Sequence, residues 1–457
     1  MTLWRAGCTT GRTWLCLVPA LMLCGHHASA GQHLRAGAAQ TDITPPKGTD
    51  LWGYGSRKGP AIGTKDPLLA RVLVFEAEDQ RVAILTLDLG RTFGEASLRK
   101  LREEVARTSH IGYVFAAASH THSGPVILDE YEQTPPWESE ALRRIESATA
   151  EAVAHLADAR IGTGYGIAYI GHNRLKVNAD RSVTWFERNP TKVPTAPFDP
   201  TVAVLRVDGA SGTPIAVLVN YACHPVVFGP DNLEFSADYP AITAQVVKEK
   251  FGPNVVAMFI QGGDGDINPY YAVTALQQDA DSRREWTGRE LGQAAVRVAE
   301  SIHTTSSETP SLQFSEHPIR VRMRWDQKIF REAMAGSFGI DFEKKFGPPV
   351  REKIDLPVAT LLIDRRIAFV GLPGEPFLDF QTNLRSRSPV RDVFFAGYAN
   401  GYHGYFPTIE QATLGAYGAS STTTWVEPGA GERMIDHSLV ELNTMLGRLS
   451  SDPFRPH

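Results

Sequence analysis

Two histidines separated by one residue follow a short apolar segment, and this is the first spacing in the chain that suggests chemistry. His120 and His122 lie in residues 119–125 (SHTHSGP), directly behind the apolar run at residues 113–118. In an extended segment, residues i and i+2 project to the same side, so both imidazoles could face one cleft. Neutral imidazole is the commonest metal ligand, and its pKa also suits proton transfer near neutrality. One histidine could therefore bind a metal ion while the other transfers protons.

Four further apolar runs end in motifs that carry metal-type or polar residues. These motifs are Cys223-His224-Pro225, residues 261–269 (QGGDGDINP), residues 371–376 (GLPGEP) and residues 397–405 (GYANGYHGY). A lone His-x-His pair is common in surface loops without a chemical role, but a series of such strand-end motifs favours a functional site. In open α/β sheets, ligands bind beyond the carboxyl ends of strands. Loops at strand ends could therefore bring these residues together.

The segments between the motifs alternate between strand and helix patterns. Apolar runs typical of strands occupy residues 72–75, 82–87, 113–118, 202–207, 215–221, 255–260, 312–322, 359–363, 367–370 and 393–396. Helical spacing of apolar residues is found in residues 98–105, 142–156, 239–251 and 291–302. We predict an α/β fold with a mixed, largely buried sheet flanked by helices and an active site at the strand-end loops. The Gly- and Pro-rich residues 32–63 predict an irregular segment, and Pro376 predicts the first position of a helix.

Residues 1–30 have the features of a secretory signal peptide. Two arginines precede an apolar stretch at residues 14–24, and Ala-Ser-Ala at residues 28–30 supplies small residues for cleavage. The stretch is short for a membrane span, which needs about 20 apolar residues. We expect cleavage after Ala30, a secreted or periplasmic location, and one catalytic domain over residues 31–457.

Charge and cysteine content restrict the class of protein further. The formal net charge of -5 over 457 residues argues against nucleic acid as a partner. Of the four cysteines, only Cys223 lies beyond the expected leader, so we expect no intramolecular disulfide and stability from an ordinary core. A small-molecule or lipid substrate is expected, with peripheral membrane contact compatible with the latter. No sequence feature implies a protein partner.

A series of motifs in fixed order resembles those of the neutral, non-lysosomal ceramidases, a family of zinc-dependent amide hydrolases. They are residues 39–45 (AQTDITP), residues 120–125 (HTHSGP), Asn173-Arg174, His224-Pro225, residues 373–375 (PGE), residues 400–405 (NGYHGY) and residues 417–420 (YGAS). The resemblance covers most of the chain after the leader and corresponds to the N-terminal catalytic domain of these enzymes. It implies a zinc hydrolase that cleaves the amide bond of an N-acyl lipid such as ceramide, and the leader pattern adds the expectation that this enzyme is exported.

The resemblance also implies which residues form the site. The family's zinc ligands fall on His120, His224, Glu375 and Tyr405, with water completing the coordination shell. Two imidazoles and a carboxylate suit Zn²⁺, and a position left open for water is typical of a catalytic site. His122 would transfer protons, or would only orient the metal site. Arg174 would stabilise the negative charge on the tetrahedral oxygen, or would only pair with an acidic residue.

One position departs from the family pattern. Where these ceramidases carry a serine after glutamine, this chain has Gly262, which excludes an acyl-enzyme route through that position. Attack by water on zinc needs no serine, and Asp264 or His122 would then be the general base. Two alternatives stay open: a zinc hydrolase of the same fold that acts on an ester, lactone or sugar-linked amide, and a non-catalytic descendant that binds a lipid or glycan.

Overall fold

The apolar runs that precede the candidate site motifs form buried strands. The computed structural model describes residues 33–338, 352–420 and 422–449. The expected signal peptide and its cleavage position lie outside these residues. Within the described residues, no helix is both long enough and apolar enough to cross a membrane.

Strands and helices alternate along much of the described chain, as the sequence pattern predicts. The strands are β1 Arg35–Asp42, β2 Gly63–Thr64, β3 Leu69–Ala77, β4 Gln80–Leu87, β5 Tyr113–Ala118, β6 Ala157–Ile167, β7 Gly171–Asn173, β8 Leu175–Val177, β9 Val183–Trp185, β10 Thr201–Gly209, β11 Pro214–Tyr221, β12 Glu234–Phe235, β13 Val256–Gln261, β14 Ile267–Pro269, β15 Leu312–Arg322, β16 Lys353–Ile363, β17 Ile367–Gly371, β18 Glu375–Pro376, β19 Asp392–Ala396 and β20 Tyr405–Phe406. The helices are α1 Glu95–Ser109, α2 Pro136–Ala154, α3 Tyr239–Phe251, α4 Ala280–Ser301, α5 Gln327–Phe338, α6 Leu378–Arg387, α7 Ile409–Leu414 and α8 Ala430–Met445, with a short 3-10 helix at Leu276–Gln278.

Two sheets form the centre of the fold. The main sheet has eight strands in the order β13-β11-β10-β6-β1-β3-β4-β5, and the second sheet has four in the order β15-β16-β17-β19. In the main sheet the two outermost pairs, β11–β13 and β4–β5, are parallel, and in the second sheet β17–β19 is parallel. The remaining pairs of both sheets are antiparallel. The predicted mixed sheet is therefore confirmed.

Most strands of the main sheet are buried on both faces, although β6 is largely half-buried or exposed. Successive side chains of a strand point to opposite sides of the sheet. In β3, Val72 and Val74 pack with apolar residues of α1 and α2, whereas Leu73 and Phe75 pack in the core between the two sheets. Helices α3 and α4 cover the same outer face at β10, β11 and β13. Helices α6 and α8 pack on the outer face of the second sheet. The result is four layers, with helices outside and two sheets inside.

A segment after β19 joins the two edge strands of the main sheet. The N–H of Gly397 donates to the carbonyl oxygen of Gln261 in β13 (3.0 Å), and the N–H of Asn400 donates to that of Ala116 in β5 (2.9 Å). The side-chain oxygen of Asn400 also accepts a hydrogen bond from the N–H of Ala116 (2.8 Å). Edge strands otherwise leave backbone groups unpaired. Residues 397–400 therefore bond to the carboxyl-terminal residues of both edge strands and bring the ends of β5 and β13 together.

The side-chain amide of Gln261 connects the loops that follow β5, β11 and β13. Its oxygen accepts a hydrogen bond from the N–H of Cys223 (3.0 Å), and its nitrogen donates to the carbonyl oxygens of Cys223 (2.8 Å) and Ser119 (3.2 Å). Gln261 is fully buried. Because Ser119 precedes His120 and Cys223 precedes His224, this amide fixes the two histidine loops relative to each other.

Two predictions of local structure are wrong. Residues 32–63 are predicted to be irregular, yet β1 lies within them and pairs with β3 along its whole length. The strand is rich in small residues because α2 packs closely on it: a Cβ atom at Gly37 would lie 2.1 Å from the carbonyl oxygen of Ala152. Pro376 is predicted to begin a helix, but it lies in β18, and α6 begins two residues later at Leu378.

Replacing Gln261 with alanine should lower the free energy of unfolding by about 2 kcal/mol or more. The substitution leaves two buried backbone groups without their partner, the N–H of Cys223 and the carbonyl oxygen of Ser119, whereas the carbonyl oxygen of Cys223 keeps the Tyr239 hydroxyl; each orphaned group costs about 1–3 kcal/mol. Chemical denaturation measures the change. The matched control is Gln245→Ala, because the exposed amide of Gln245 donates only to Glu249 in the same helix (2.9 Å), and its loss should cost less than about 0.5 kcal/mol. Equal losses of unfolding free energy in the two variants would contradict the conclusion that Gln261 holds the two histidine loops together.

Candidate metal centre

His120 lies two residues beyond the end of β5 in a strained backbone conformation. Its φ is +68°, in the left-handed region that costs a non-glycine residue roughly 1–2 kcal/mol. Its N–H donates to the carbonyl oxygen of Leu89 (2.9 Å), and its ring Nδ1 lies 2.7 Å from the carbonyl oxygen of Gly90. Tyr398 stacks on the imidazole with ring centroids 4.0 Å apart. These contacts hold the ring so that Nε2 faces the interior of the site.

His224 is held by the same kind of contact at the end of β11. Its Nδ1 lies 2.7 Å from the carbonyl oxygen of Asp264 and 3.1 Å from that of Ile267. A carbonyl oxygen only accepts hydrogen bonds, so Nδ1 carries the hydrogen in both His120 and His224. The lone pair is then on Nε2, as a histidine that binds metal through Nε2 requires.

The Nε2 atoms of both histidines converge on Glu375. The Oε2 atom of Glu375 lies 3.5 Å from Nε2 of His120 and 3.3 Å from Nε2 of His224, and all three side chains are at most 4% exposed. A tetrahedral zinc ion with bonds of about 2.0–2.1 Å places its ligand atoms roughly 3.4 Å apart. The donor set therefore fits a zinc ion in both chemistry and spacing.

The surroundings of Glu375 and His120 keep these two side chains in the protonation states that bind metal. Burial raises the pKa of Glu375, but His120, His224 and the hydroxyl of Tyr402 outweigh it and hold the pKa at about 2. The Tyr402 hydroxyl donates to Oε1 of Glu375 at 2.5 Å. Burial also lowers the pKa of His120 to about 4. Near neutrality the carboxylate is ionised and the imidazole is neutral, which are the forms that coordinate a cation.

Tyr405 and Arg174 border the same donors. The parallel pairing of β18 with β20 places Tyr405 beside Glu375. The Tyr405 hydroxyl lies 3.5 Å from Nε2 of His224, and Nη2 of Arg174 donates to that hydroxyl at 3.4 Å. Arg174 also donates to the carbonyl oxygen of Gly265 (2.6 Å), while its Nε finds no hydrogen-bond partner among the described residues. A buried positive charge with a spare N–H group therefore lies next to the donors.

His122 completes a cluster of three histidines. Its Nε2 lies 3.1 Å from Nε2 of His120, and one ring nitrogen from each of His120, His122 and His224 lies within 4.8 Å of the others. The Nδ1 atom of His122 is buried and has no partner in the described part of the chain. Burial, together with the neighbouring His120 and His224, keeps the pKa of His122 well below its usual value. The arrangement allows His122 to accept a proton or to bind the metal ion.

Asp264 lies against His224 on the side away from Glu375. Its Oδ1 accepts a hydrogen bond from the Tyr398 hydroxyl (2.8 Å), and its Oδ2 lies 3.2 Å from Nδ1 of His224. Burial raises the pKa of Asp264 to about 7, although His224 opposes the shift. The carboxyl group thus contacts the ring nitrogen opposite Nε2. This placement favours orientation of His224 over proton transfer with a substrate.

Gly262, where the family resemblance would place a serine, packs against α6. A Cβ atom at this position would lie 2.4 Å from Oε1 of Gln381 and 2.9 Å from Cβ of Ala222. Neither atom belongs to the candidate metal donors. A serine here would displace Gln381, which accepts a hydrogen bond from the N–H of Gly263 (3.0 Å). The packing of the loop therefore accounts for the glycine.

Aromatic and acidic side chains that sequence analysis does not identify surround the histidines and Arg174. The guanidinium of Arg174 lies over the ring of Trp185 at 4.7 Å, and Tyr54 meets the ring of His122 edge to face at 4.9 Å. The indole N–H of Trp185 donates to Glu187 (3.2 Å). These residues lie in segments without a periodic apolar pattern. The isolated Trp185 in a polar stretch is the sequence signal that could have identified this side of the site.

Gly53→Ala should cost more stability than Gly59→Ala, although both glycines have left-handed backbones, with φ of +101° and +110°. A Cβ atom at Gly53 would lie 2.4–2.6 Å from the His122 ring, whereas one at Gly59 would meet nothing within 4 Å. Backbone strain should cost each variant about 1–2 kcal/mol, and displacement of His122 should add about 1–3 kcal/mol for Gly53→Ala. Denaturation curves and the imidazole NMR signals of His122 test this. Equal losses with unshifted signals would contradict the contact.

Sequence comparisons relate this arrangement to a known family. The family model described as neutral/alkaline non-lysosomal ceramidase, N-terminal, matches residues 34–286. The chain is also 22% identical to the neutral ceramidase of Pseudomonas aeruginosa over 484 residues, an alignment that covers 88% of this chain and 71% of that protein. The family resemblance inferred from the motifs is confirmed.

Solved structures share the fold. The crystal structure of neutral ceramidase from Pseudomonas aeruginosa superposes with a TM-score of 0.72 at 18% identity, over 93% of this chain and 77% of that one. A structure described as ceramidase complexed with C2 gives a TM-score of 0.71 at 18% identity, with the same coverage. The predicted α/β fold class is therefore confirmed at the level of the whole domain.

Proposed function

Since this chain belongs to the neutral/alkaline non-lysosomal ceramidase family, we propose that it is a zinc-dependent hydrolase that cleaves the amide bond of an N-acyl lipid such as ceramide. The observation that carries the proposal is the approach of the Nε2 atoms of His120 and His224 to Oε2 of Glu375, at 3.5 and 3.3 Å. The similarity to a neutral ceramidase and to a ceramidase complexed with C2 supports a lipid substrate.

We assign the zinc ligands to His120, His224, Glu375 and Tyr405. Zinc, when bound, supplies a Lewis acid that polarises a carbonyl group and activates water for attack. Tyr405 is the unusual member of the set, because burial raises the pKa of its hydroxyl well above the usual value. Its phenolate forms only beside positive charge, and Arg174 supplies part of that charge from 3.4 Å away.

The other residues of the site act on the substrate or on the ligands. Arg174 is placed to stabilise negative charge on the substrate oxygen, because its charge is buried and its Nε is free to donate. His122 is partly buried and its pKa lies well below the usual value, so its imidazole is neutral near neutrality, and we assign it the transfer of protons between water and the leaving amine. Asp264 is assigned a positioning role, since it contacts His224 on the Nδ1 side.

We also propose that the protein is exported. The support is the leader pattern of residues 1–30, in which basic residues, an apolar stretch and small residues follow in the order that signal peptidase recognises. Cleavage after Ala30 would leave residues 31–457 as the active protein, secreted or periplasmic, where lipid substrates are accessible without passage into the cytoplasm.

Residues 31–457 should release fatty acid from a short-chain ceramide, and a chelator should stop the release until zinc is restored. His224→Ala should abolish turnover because it removes a ligand that is held in place by two backbone carbonyl groups. Mass spectrometry of the released fatty acid measures the rate. His155→Ala is the matched control, since His155 is an exposed histidine at the end of α2, and its activity should equal that of the wild type.

The alternatives predict different outcomes of the same assay. Protein that binds zinc but releases no fatty acid would contradict the ceramide assignment, and esters, lactones and sugar-linked amides would then be the substrates to test. Ceramide binding without turnover, unchanged in His224→Ala, would instead identify a non-catalytic lipid-binding protein.

Tyr402→Phe should weaken zinc binding by about 10–100-fold, the usual effect of losing a hydrogen bond to a metal-ligating group. The substitution removes the donor to Oε1 of Glu375 and leaves every assigned zinc ligand in place. Competition with a fluorescent chelator measures the affinity, and excess zinc should restore activity. Tyr165→Phe is the control, because Tyr165 is 41% exposed and its hydroxyl bonds Asp392. Unchanged zinc affinity in Tyr402→Phe would show that Glu375 is oriented without this bond.

A further inference from the structure

A second group of metal-type side chains lies where strand β15 meets helix α8. His317 belongs to β15, and His437 and Glu441 are four residues apart on α8, so they share one face of the helix. One donor atom from each of the three residues lies within 4.8 Å of the other two. None of the three belongs to the candidate metal centre.

The spacing of the donor atoms is close to that of a coordinated ion. The Oε1 atom of Glu441 lies 3.7 Å from Nδ1 of His317 and 3.9 Å from Nε2 of His437. Ligand atoms around a tetrahedral zinc ion lie roughly 3.4 Å apart. The two separations exceed that spacing by only about 0.3 and 0.5 Å.

One of these donors has no other partner. The Nε2 atom of His437 is buried and makes no hydrogen bond within the described residues. A buried polar atom without a partner is unfavourable, and a metal ion is a partner that the neighbouring Glu441 and His317 are placed to share. The Nδ1 atom of His317 lies 2.8 Å from the hydroxyl of Ser315, and an ion bound by Nδ1 would replace that hydrogen bond.

The cluster is also accessible. The side chain of His317 is 65% exposed, whereas those of His437 and Glu441 are 27% and 18% exposed. An ion from solution can therefore reach the site past His317 and then contact the two more buried ligands. The exposed side of the site would keep at least one coordination position for water.

We propose that His317, His437 and Glu441 bind a divalent transition-metal ion of the zinc class and thereby link strand β15 to helix α8. Two imidazole nitrogens and one carboxylate oxygen suit Zn²⁺, Co²⁺, Ni²⁺ or Cu²⁺, whereas Mg²⁺ and Ca²⁺ require mainly oxygen ligands. Helix α8 packs on the second sheet through apolar residues, including Met434, Ile435 and Leu442. The bound ion adds a polar link at the edge of this apolar contact.

Zinc stoichiometry of the whole chain, measured by equilibrium dialysis after metal removal, tests the proposal. The wild type should bind one equivalent more than His437→Gln or Glu441→Gln. His303→Gln is the matched control, since His303 is an exposed histidine outside the cluster, and it should bind as many equivalents as the wild type. If His437→Gln and Glu441→Gln bind as much zinc as the wild type, the proposal is overturned.

A second measurement separates this site from the candidate metal centre. In a His224→Ala background, zinc should still raise the unfolding temperature and slow amide hydrogen exchange in α8, and adding Glu441→Gln should remove both effects. A zinc effect on α8 that persists with Glu441→Gln would overturn the link. Glu441→Gln alone should leave hydrolysis unchanged, so loss of the assigned catalytic zinc and loss of this ion give different results.

Discussion

The candidate metal centre depends on the closure of the main sheet by residues 397–400. Strands β5 and β13 lie at opposite edges of eight strands, yet the loops that follow them must supply His120 and the carbonyl group that orients His224. The segment after β19 bonds to both edges. Tyr398, which lies in this segment, stacks on His120 and donates to Asp264. The same few residues therefore close the sheet and position the ligands.

The candidate metal centre contains a buried carboxylate and a strained backbone conformation, each of which is unfavourable by itself. An ionised carboxylate is expensive to bury unless it is paired, and Glu375 is buried with two imidazoles and one tyrosine hydroxyl as neighbours. His120 adopts a backbone conformation that most residues avoid. Such strain persists only where the surroundings over-determine it, and here the carbonyl oxygens of Leu89 and Gly90 and the ring of Tyr398 do so. The rest of the fold thus stabilises a site that is ready for a cation.

Much of the fold could be predicted from the sequence because several of its strands are buried on both faces. Continuous apolar runs such as residues 113–118 identify such strands without an alternating pattern, and the structure places β5 at those residues. β1 escaped prediction because a strand covered closely by a helix uses glycine and alanine, which also occur in loops. The proline at 376 does not mark a helix start because proline is also tolerated in short edge strands, and Pro376 lies in β18.

The candidate site was predictable where motifs follow strands and less so elsewhere. His120, His224 and Glu375 each follow an apolar run, so the sequence pattern predicts their position at strand ends, whereas their assignment as zinc ligands comes from the family resemblance. The contact of Asp264 with Nδ1 of His224 depends on the direction in which a side chain points from its loop. The same is true of the contacts of Trp185 with Arg174 and of Tyr54 with His122. Local sequence does not determine that direction, because it is set by contacts such as that between Gly53 and His122, which are distant along the chain.

The four assigned zinc ligands are divided between the two sheets. His120 and His224 follow β5 and β11 of the main sheet, whereas Glu375 and Tyr405 follow β17 and β19 of the second sheet. Neither sheet alone carries the whole set, so a chain in which the sheets have not yet packed together has no complete site. An ion that needs all four donors binds the assembled state alone, and its binding free energy then opposes separation of the sheets. Metal acquisition would be a late event in folding, in whichever compartment the two sheets first meet.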